Sequence, residues 1–453
     1  MEQRIFNLLN VPLNRRISLT FILIFSTAII IDSTIVEYIS YSDTGIPIST
    51  NFWIFVFLSA LLIVGNFILL SSIKRLGKGS FKKFDYFKKG VEIVIFSTNI
   101  LLSASIVTVI MQMALIHKYN LVLLELVTYL SHITALSFLC ILAFVFVGWL
   151  KSKGDYVLLM YTIAFLIIAA KIVLSLLYLD FFFSQTVSDF IKPLPINFVV
   201  TQVYPSSWSP SAVIALDFLT LCSFSLFWIA TIVLLYEYRI KLGKIKYFIL
   251  VGIPFIYYLF PFEQYLGNFL SPSMFNSPVA FGILYTLIFS GTKQIGSVLF
   301  SLAFWSTSTS ISDDRVRKSM LISAIGMAIL FGSIEISTLQ YRLYPPYGLV
   351  TEGFMPLGTY LLFVGIFTSA TFMAQDAKLR KELYVSAKKE LSLLRTIGVT
   401  QMEKELVKKF KSIEKQAILS GRTEETYREE DDIKDLVREV LDELNKSKNI
   451  KKN

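Results

Sequence analysis

The sequence predicts an all-α protein: a polytopic transmembrane helix bundle of about ten spans, followed by a cytosolic helical, possible coiled-coil, tail. Three observations carry this expectation. Apolar residues make up over half of the chain, 54%. They fall into separate runs of about twenty, the length that crosses a hydrocarbon core of roughly 30 Å. From Gln375 onward the composition turns abruptly charged, and apolar residues recur at three- and four-residue steps.

Ten spans are expected, at 17–39, 52–72, 91–116, 121–150, 156–179, 212–235, 247–262, 279–305, 319–340 and 356–373. The first is not a cleavable signal peptide, because Ile17 to Ile39 is too long and lacks a small-residue cleavage site. Basic residues set the orientation. The N-terminus and the 73–90, 151–155, 236–246 and 306–318 loops hold 19 Lys and Arg, whereas the opposite loops hold only Lys118, Lys192 and Arg342. Both termini are therefore expected in the cytoplasm, with the chain multi-pass in the cell membrane. The domains are a cytosolic lead-in (1–16), the bundle (17–373) and the tail (374–453).

Basic loops against an anionic leaflet account for most of the net charge of +10, so the lipid bilayer is the expected partner and no nucleic acid is needed. The 73–90 loop interleaves Lys74, Arg75, Lys78, Lys82, Lys83, Lys88 and Lys89 with Phe81, Phe84 and Phe87, as a topology signal along the headgroups would, with a specific anionic-lipid site as the alternative. The 180–211 connection, with Phe181, Phe182, Phe183, Phe198, Tyr204 and Trp208, is too apolar for a solvated linker and is expected either in the membrane interface or over the outer mouth of the bundle. Gly252 and Pro254 invite a kink in span seven.

Most catalytic classes lack their residues here. Cys140 and Cys222 lie in different spans and form no CxxC pair. His117 and His132 are too few for a multi-histidine metal site or bis-histidine haem ligation, so no cofactor or metal is expected. The string Ser290-Gly291-Thr292-Lys293 lies inside an apolar run and is not a phosphate loop, and no GxSxG elbow occurs. The expectation is a protein that is not an enzyme.

Ionisable residues inside spans are costly and mark functional candidates. They are Asp32, Glu125, His132, Lys171, Asp217, Lys293 and Glu335. At about 1.5 Å per residue most fall in the external half, so they are candidates for a ligand or ion cavity. Buried ion pairs that only fix helix packing are the competing explanation. Glu125, Thr128 and His132 share one face of span four, and Ala324, Ala328, Gly332 and Glu335 share one face of span nine. Small residues at four-residue spacing permit close helix contact in lipid, which makes Ala324, Ala328 and Gly332 the expected packing face. The turn Tyr344-Pro345-Pro346-Tyr347-Gly348 follows, and Glu352 falls in the expected external loop.

No Gly or Pro interrupts Thr371 to Leu383, so span ten is expected to run unbroken into the tail. Leu379, Leu383, Ala387, Leu391 and Leu394 form a narrow stripe suited to a two-helix seam, with a homodimer or a folded-back segment as its partner; a monomeric helix with Arg380, Lys381, Lys388 and Lys389 on anionic headgroups is the other alternative. After Gly398 a second helix is expected, with Met402, Leu406, Phe410, Ile413 and Ala417 on one face. A third carries Ile433, Leu436, Val437, Val440, Leu441 and Leu444. A cytosolic protein partner is the alternative occupant of these stripes.

Three segments, Tyr344 to Thr351, Gln375 to Arg380 and Ser392 to Gly398, resemble a group of uncharacterised archaeal multi-pass membrane proteins with a cytosolic helical tail. That resemblance implies the architecture and no assigned activity. The leading functional expectation is a non-enzymatic sensor or signalling scaffold that couples an external-half polar cavity to the tail. A secondary transporter that uses the same buried charges is the alternative.

Overall fold

The structure is a computed structural model, and it describes residues 15–41, 48–76, 85–152, 154–184, 190–191, 210–236, 238–259, 278–334, 344–376 and 392–419. The helices in chain order are α1 (Arg15–Tyr41), α2 (Ile48–Leu76), α3 (Asp85–Ile116), α4 (Leu121–Ser152), α5 (Tyr156–Ser184), α6 (Pro210–Leu234) and the short α7 (Tyr238–Leu242). Then come α8 (Lys244–Leu259), α9 (Pro278–Thr309), α10 (Asp314–Ile334), the one-turn α11 (Leu349–Gly353), α12 (Met355–Gln375) and α13 (Ser392–Leu419). Two two-residue strands, β1 (Tyr119–Asn120) and β2 (Phe190–Ile191), pair antiparallel with Tyr119 opposite Ile191.

Seven of the described helical segments are long and apolar enough to cross a membrane, which suggests a multi-pass integral membrane protein. Their outward faces agree: Phe57, Ile93, Leu115, Phe144, Leu177 and Phe218 are large, apolar and exposed, as lipid-facing side chains are. The residues of the other three expected spans fall on α1, α8 and α9, which are not among those seven, and the 260–262 end of span seven and the 335–340 end of span nine lie outside the described residues.

Two helices form the centre. In α10, 89% of the spanning window is buried, and in the α11–α12 segment 83%, against 28–50% in the other five. With little hydrophobic drive between helices in lipid, close backbone approach must supply the cohesion, and small residues permit it. A Cβ at Gly326 of α10 would stand 2.5 Å from the Leu362 backbone N and 2.9 Å from the Gly358 carbonyl. A Cβ at Gly358 of α12 would stand 2.6 Å from the Leu330 N, and one at Gly365 would stand 2.6 Å from the Ser319 carbonyl. Ala324 and Ala328, on the expected packing face, are also buried. Gly332 on that face lies against Gln294 of α9 and Ile29 of α1, and the Gln294 side-chain amide donates to the Gly332 carbonyl at 3.3 Å.

The remaining helices wrap this pair. α9 and α1 cover one side of α10, α4 covers α12, and α5 and α6 build outward from α4. Polar side chains within the bundle are largely satisfied inside their own helices. Ser59, Ser105, Thr162, Ser323 and Thr371, for instance, each donate to the carbonyl four residues back. An interhelical exception is Asn66 of α2, whose amide donates to the Asn99 side chain of α3 at 2.5 Å. In α8 the expected proline lies inside the helix at Pro254. The Trp228 indole of α6 donates to the nearby Val251 carbonyl at 2.9 Å and stacks on Phe255, which supplies a donor beside the break in the ladder.

Candidate functional site

α12 joins two polar constellations, one at each end. At its N-terminal end the chain descends from Tyr344 through a turn, forms α11, breaks at Phe354 and restarts as α12 with a proline in its first turn. Gly348 makes the turn possible, with φ 86° in the left-handed region that favours glycine. Its N–H points at Asp32 of α1 and lies 3.1 Å from each carboxylate oxygen. The Thr351 hydroxyl donates to Asp32 Oδ2 at 2.5 Å. Asp32 is only 2% exposed, and among the described residues no cation pairs with it, so neutral donors satisfy this carboxylate.

Aromatic rings fix the same segment from the sides. The Tyr347 hydroxyl donates to the Asn51 carbonyl at 2.7 Å, and its ring meets Phe55 of α2 edge-on. Tyr344 stacks on Tyr119 of β1, which is fully buried. α11 is seated among α2, α3, α4 and α10, and all five of its residues are buried. Glu352 is among them, 2% exposed, so the expectation that it occupies an external loop is corrected. Span ten therefore begins as a discontinuous helix, not at residue 356.

At its C-terminal end α12 stops at Gln375. Asp376 turns the backbone extended, with φ −100° and ψ 103°, so span ten does not run unbroken towards Leu383 as expected. Residues 377–391, which carry Leu379, Leu383, Ala387 and Leu391, lie outside the described residues. Arg315, at the start of α10, lies over the Phe372 ring at 5.1 Å and reaches Asp376 at 3.5 Å and Asp313 at 3.1 Å. Asp313 also accepts the Arg315 and Val316 backbone N–H groups, capping α10. Burial acts to raise its carboxyl, but these bonds and the Arg315 charge outweigh it and hold the group below the usual carboxylate range.

The tail helix α13 packs against this end. It is continuous through Gly398, correcting the expected break there. Gly398 instead gives closeness, because a Cβ would stand 2.5 Å from the Met373 methyl group. Leu393, Leu394, Ile397 and Val407 are buried. Three side-chain bonds tie α13 to the end of α4 and the start of α5. The Trp149 indole donates to Gln401 Oε1 at 3.2 Å, Ser152 donates to Glu403, and Thr396 donates to Asp155 Oδ2 at 3.0 Å. Asp155 caps α5 with its other oxygen, through the Val157 N–H at 2.8 Å. Gln401→Leu combined with Glu403→Leu should therefore undock α13. Hydrogen exchange across 393–407 should quicken at least tenfold, because the Glu403 bond, made to a charged group, is alone worth about 1.5–3 kcal/mol. Unchanged protection would mean the apolar contacts alone hold the helix.

The side chains of five of the seven charged candidates fall among the described residues. Asp32 joins the 344–353 segment. His132 is buried, and its Nδ1 lies 2.9 Å from the Thr128 carbonyl of its own helix. Glu125 is half-buried on α4, Lys171 is buried on α5, and Asp217 is exposed on α6. The Lys293 side chain and Glu335 lie outside the described residues. Of the tail-docking residues Trp149, Asp155, Thr396 and Gln401, only Asp155, as a helix cap before an apolar run, carries a docking-end signal readable in the sequence.

The chain matches no family model, no curated protein and no solved structure.

Proposed function

We propose that this chain is a non-enzymatic membrane sensor or signalling scaffold of about ten spans, with both termini in the cytoplasm. In it α12 would couple the Asp32 constellation to the docked tail helix. The supporting observation is that one buried helix carries both contacts: α11 and Gly348 bound to Asp32 precede it, and Met373 against Gly398 lies at its other end. Coupling would thus pass through docking rather than along a continuous rod. The archaeal affiliation rests on the sequence resemblance alone.

The test is Asp32→Asn in the full chain in nanodiscs, read by hydrogen exchange in α13. Altered protection at 393–407, more than 20 Å away along α12 at about 1.5 Å per residue, is expected. Unchanged protection would remove the coupling. Reporter fusions at Asn453 and in the 180–211 loop should report opposite sides, and same-side signals would overturn the orientation.

A secondary transporter is the second reading, favoured by the α11–α12 break beside a buried carboxylate, since discontinuous helices line substrate sites in many transporters. Deleting 377–453 separates the two: a transporter keeps its activity, whereas a signalling protein loses its output.

A further inference from the structure

The docked face of α13 does not end where the bundle ends. Ile397, Gln401, Lys404 and Lys408 follow at steps of four, three and four, so they lie in one row along the helix. In the sequence Lys411 and Lys415 continue that spacing. The first two members touch the protein: Ile397 is buried and Gln401 accepts the Trp149 indole N–H. Lys404 is the changeover. Its ammonium lies against Gly148 near the end of α4, yet the residue is exposed. Past Val407 the side chains that can be placed, Lys408, Lys409, Ser412 and Ile413, are all exposed.

The level of this row is set by its neighbours. Gly148, Trp149 and Ser152 are the last turns of a spanning helix, and Tyr156, 84% exposed, opens the next. Amphipathic rings collect at headgroup depth, so α13 crosses the bundle end at that depth. If α13 lies along the bundle end, a row that points at the bundle before Val407 would point at the lipid beside it afterwards. Cations there would meet phosphate-bearing headgroups, and long lysine stems reach that boundary readily.

We propose that the lysine row that starts at Lys404 and Lys408 rests on anionic lipid headgroups beside the bundle, so that α13 is held jointly by the protein and by acidic lipid. Lys409 and Ile413 stand about 120° and 160° round the helix from that row and take no part.

The test uses the full chain with Cys140→Ser, Cys222→Ser and Ser412→Cys, labelled with a fluorophore. It is reconstituted in nanodiscs of phosphatidylcholine alone or mixed equally with phosphatidylglycerol, each with a trace of headgroup-spin-labelled lipid. Quenching should be roughly twofold or more stronger in the mixed discs and weaken with added salt. Lys408→Gln with Lys411→Gln and Lys415→Gln should abolish the difference, the three arginine replacements should restore it, and Lys409→Gln should leave it. Equal quenching in the two lipid mixtures overturns the proposal, as does equal loss with Lys409→Gln. If the glutamine variant undocks α13, the lipid comparison on the native lysines and the arginine replacements still decide.

Discussion

Gly358→Leu should prevent the bundle from assembling. The α10–α12 contact brings two helix backbones together, and the neighbours of Gly358 include backbone atoms that cannot rotate away. A Cβ at 358 would already stand 2.6 Å from the Leu330 N and 3.0 Å from its Cα. Overpacking usually costs about 1–3 kcal/mol when side chains can yield. Here the two central helices must separate, which also opens the reciprocal contact at Gly326, where a Cβ would lie 2.5 Å from the Leu362 N. Set against a total stability of about 5–15 kcal/mol, the loss is large. Gly358→Ala should give a folded, measurably weaker protein, and Gly90→Leu, where nothing stands within 4 Å of the added Cβ, should be neutral. Thermal unfolding in detergent reads all three, and equal midpoints for Gly358→Leu and Gly90→Leu would refute the close-contact account.

That contact shows how far the sequence could be read. Apolar run length located the helices, because lipid demands long continuous apolar segments with their backbone bonds closed internally. It could not choose a packing face for α10. Ala324, Ala328 and Gly332 lie on one side of that helix, and Ser319, Ser323 and Gly326 lie about 200° round, on the other. Both sides are buried, so a helix covered on all sides has no hydrophobic period to reveal which neighbour takes which face. The four-residue run drew notice, and the glycine that meets α12 did not.

The ends of α12 were harder still. α11 is a single turn, too short to leave a helical period, so Glu352 passed for a loop residue although its whole turn is buried. The anchor that buries it, Asp32, is 316 residues away from Gly348 in sequence. On the tail side only Leu394 of its stripe lies among the described residues, where it is buried, and spacing says nothing about what such a stripe meets. Gly398 looked like a helix breaker because glycine weakens helices, whereas here it lets α13 approach Met373. The abrupt stop at Asp376 had no local signal, as nothing in Thr371 to Leu383 disfavours a helix.

Asp32→Leu should release the 344–353 segment and lower stability by roughly 2–3 kcal/mol. The carboxylate accepts from the Gly348 N–H and from the Thr351 hydroxyl, and leucine leaves both donors in a dry site without an acceptor. Hydrogen bonds inside membrane proteins average about 0.6 kcal/mol and reach about 1.7, because the separated helices find other partners. A charged acceptor with two donors belongs at the upper end of that range. Asp32→Asn keeps one carbonyl acceptor and should cost about half as much. The Thr351→Val change tests the pairing. In Asp32→Leu with Thr351→Val one orphaned donor is gone, so the double variant should be less destabilised than the sum of the single ones, by about 1 kcal/mol or more. Hydrogen exchange localises the effect: Gly348 to Gly353 should lose protection in Asp32→Leu while the Gly326–Gly358 crossing of α10 and α12 keeps its own. If the segment stays protected and the two changes simply add, Asp32 is not what holds α11 in place, and the aromatic contacts of Tyr344 and Tyr347 are sufficient.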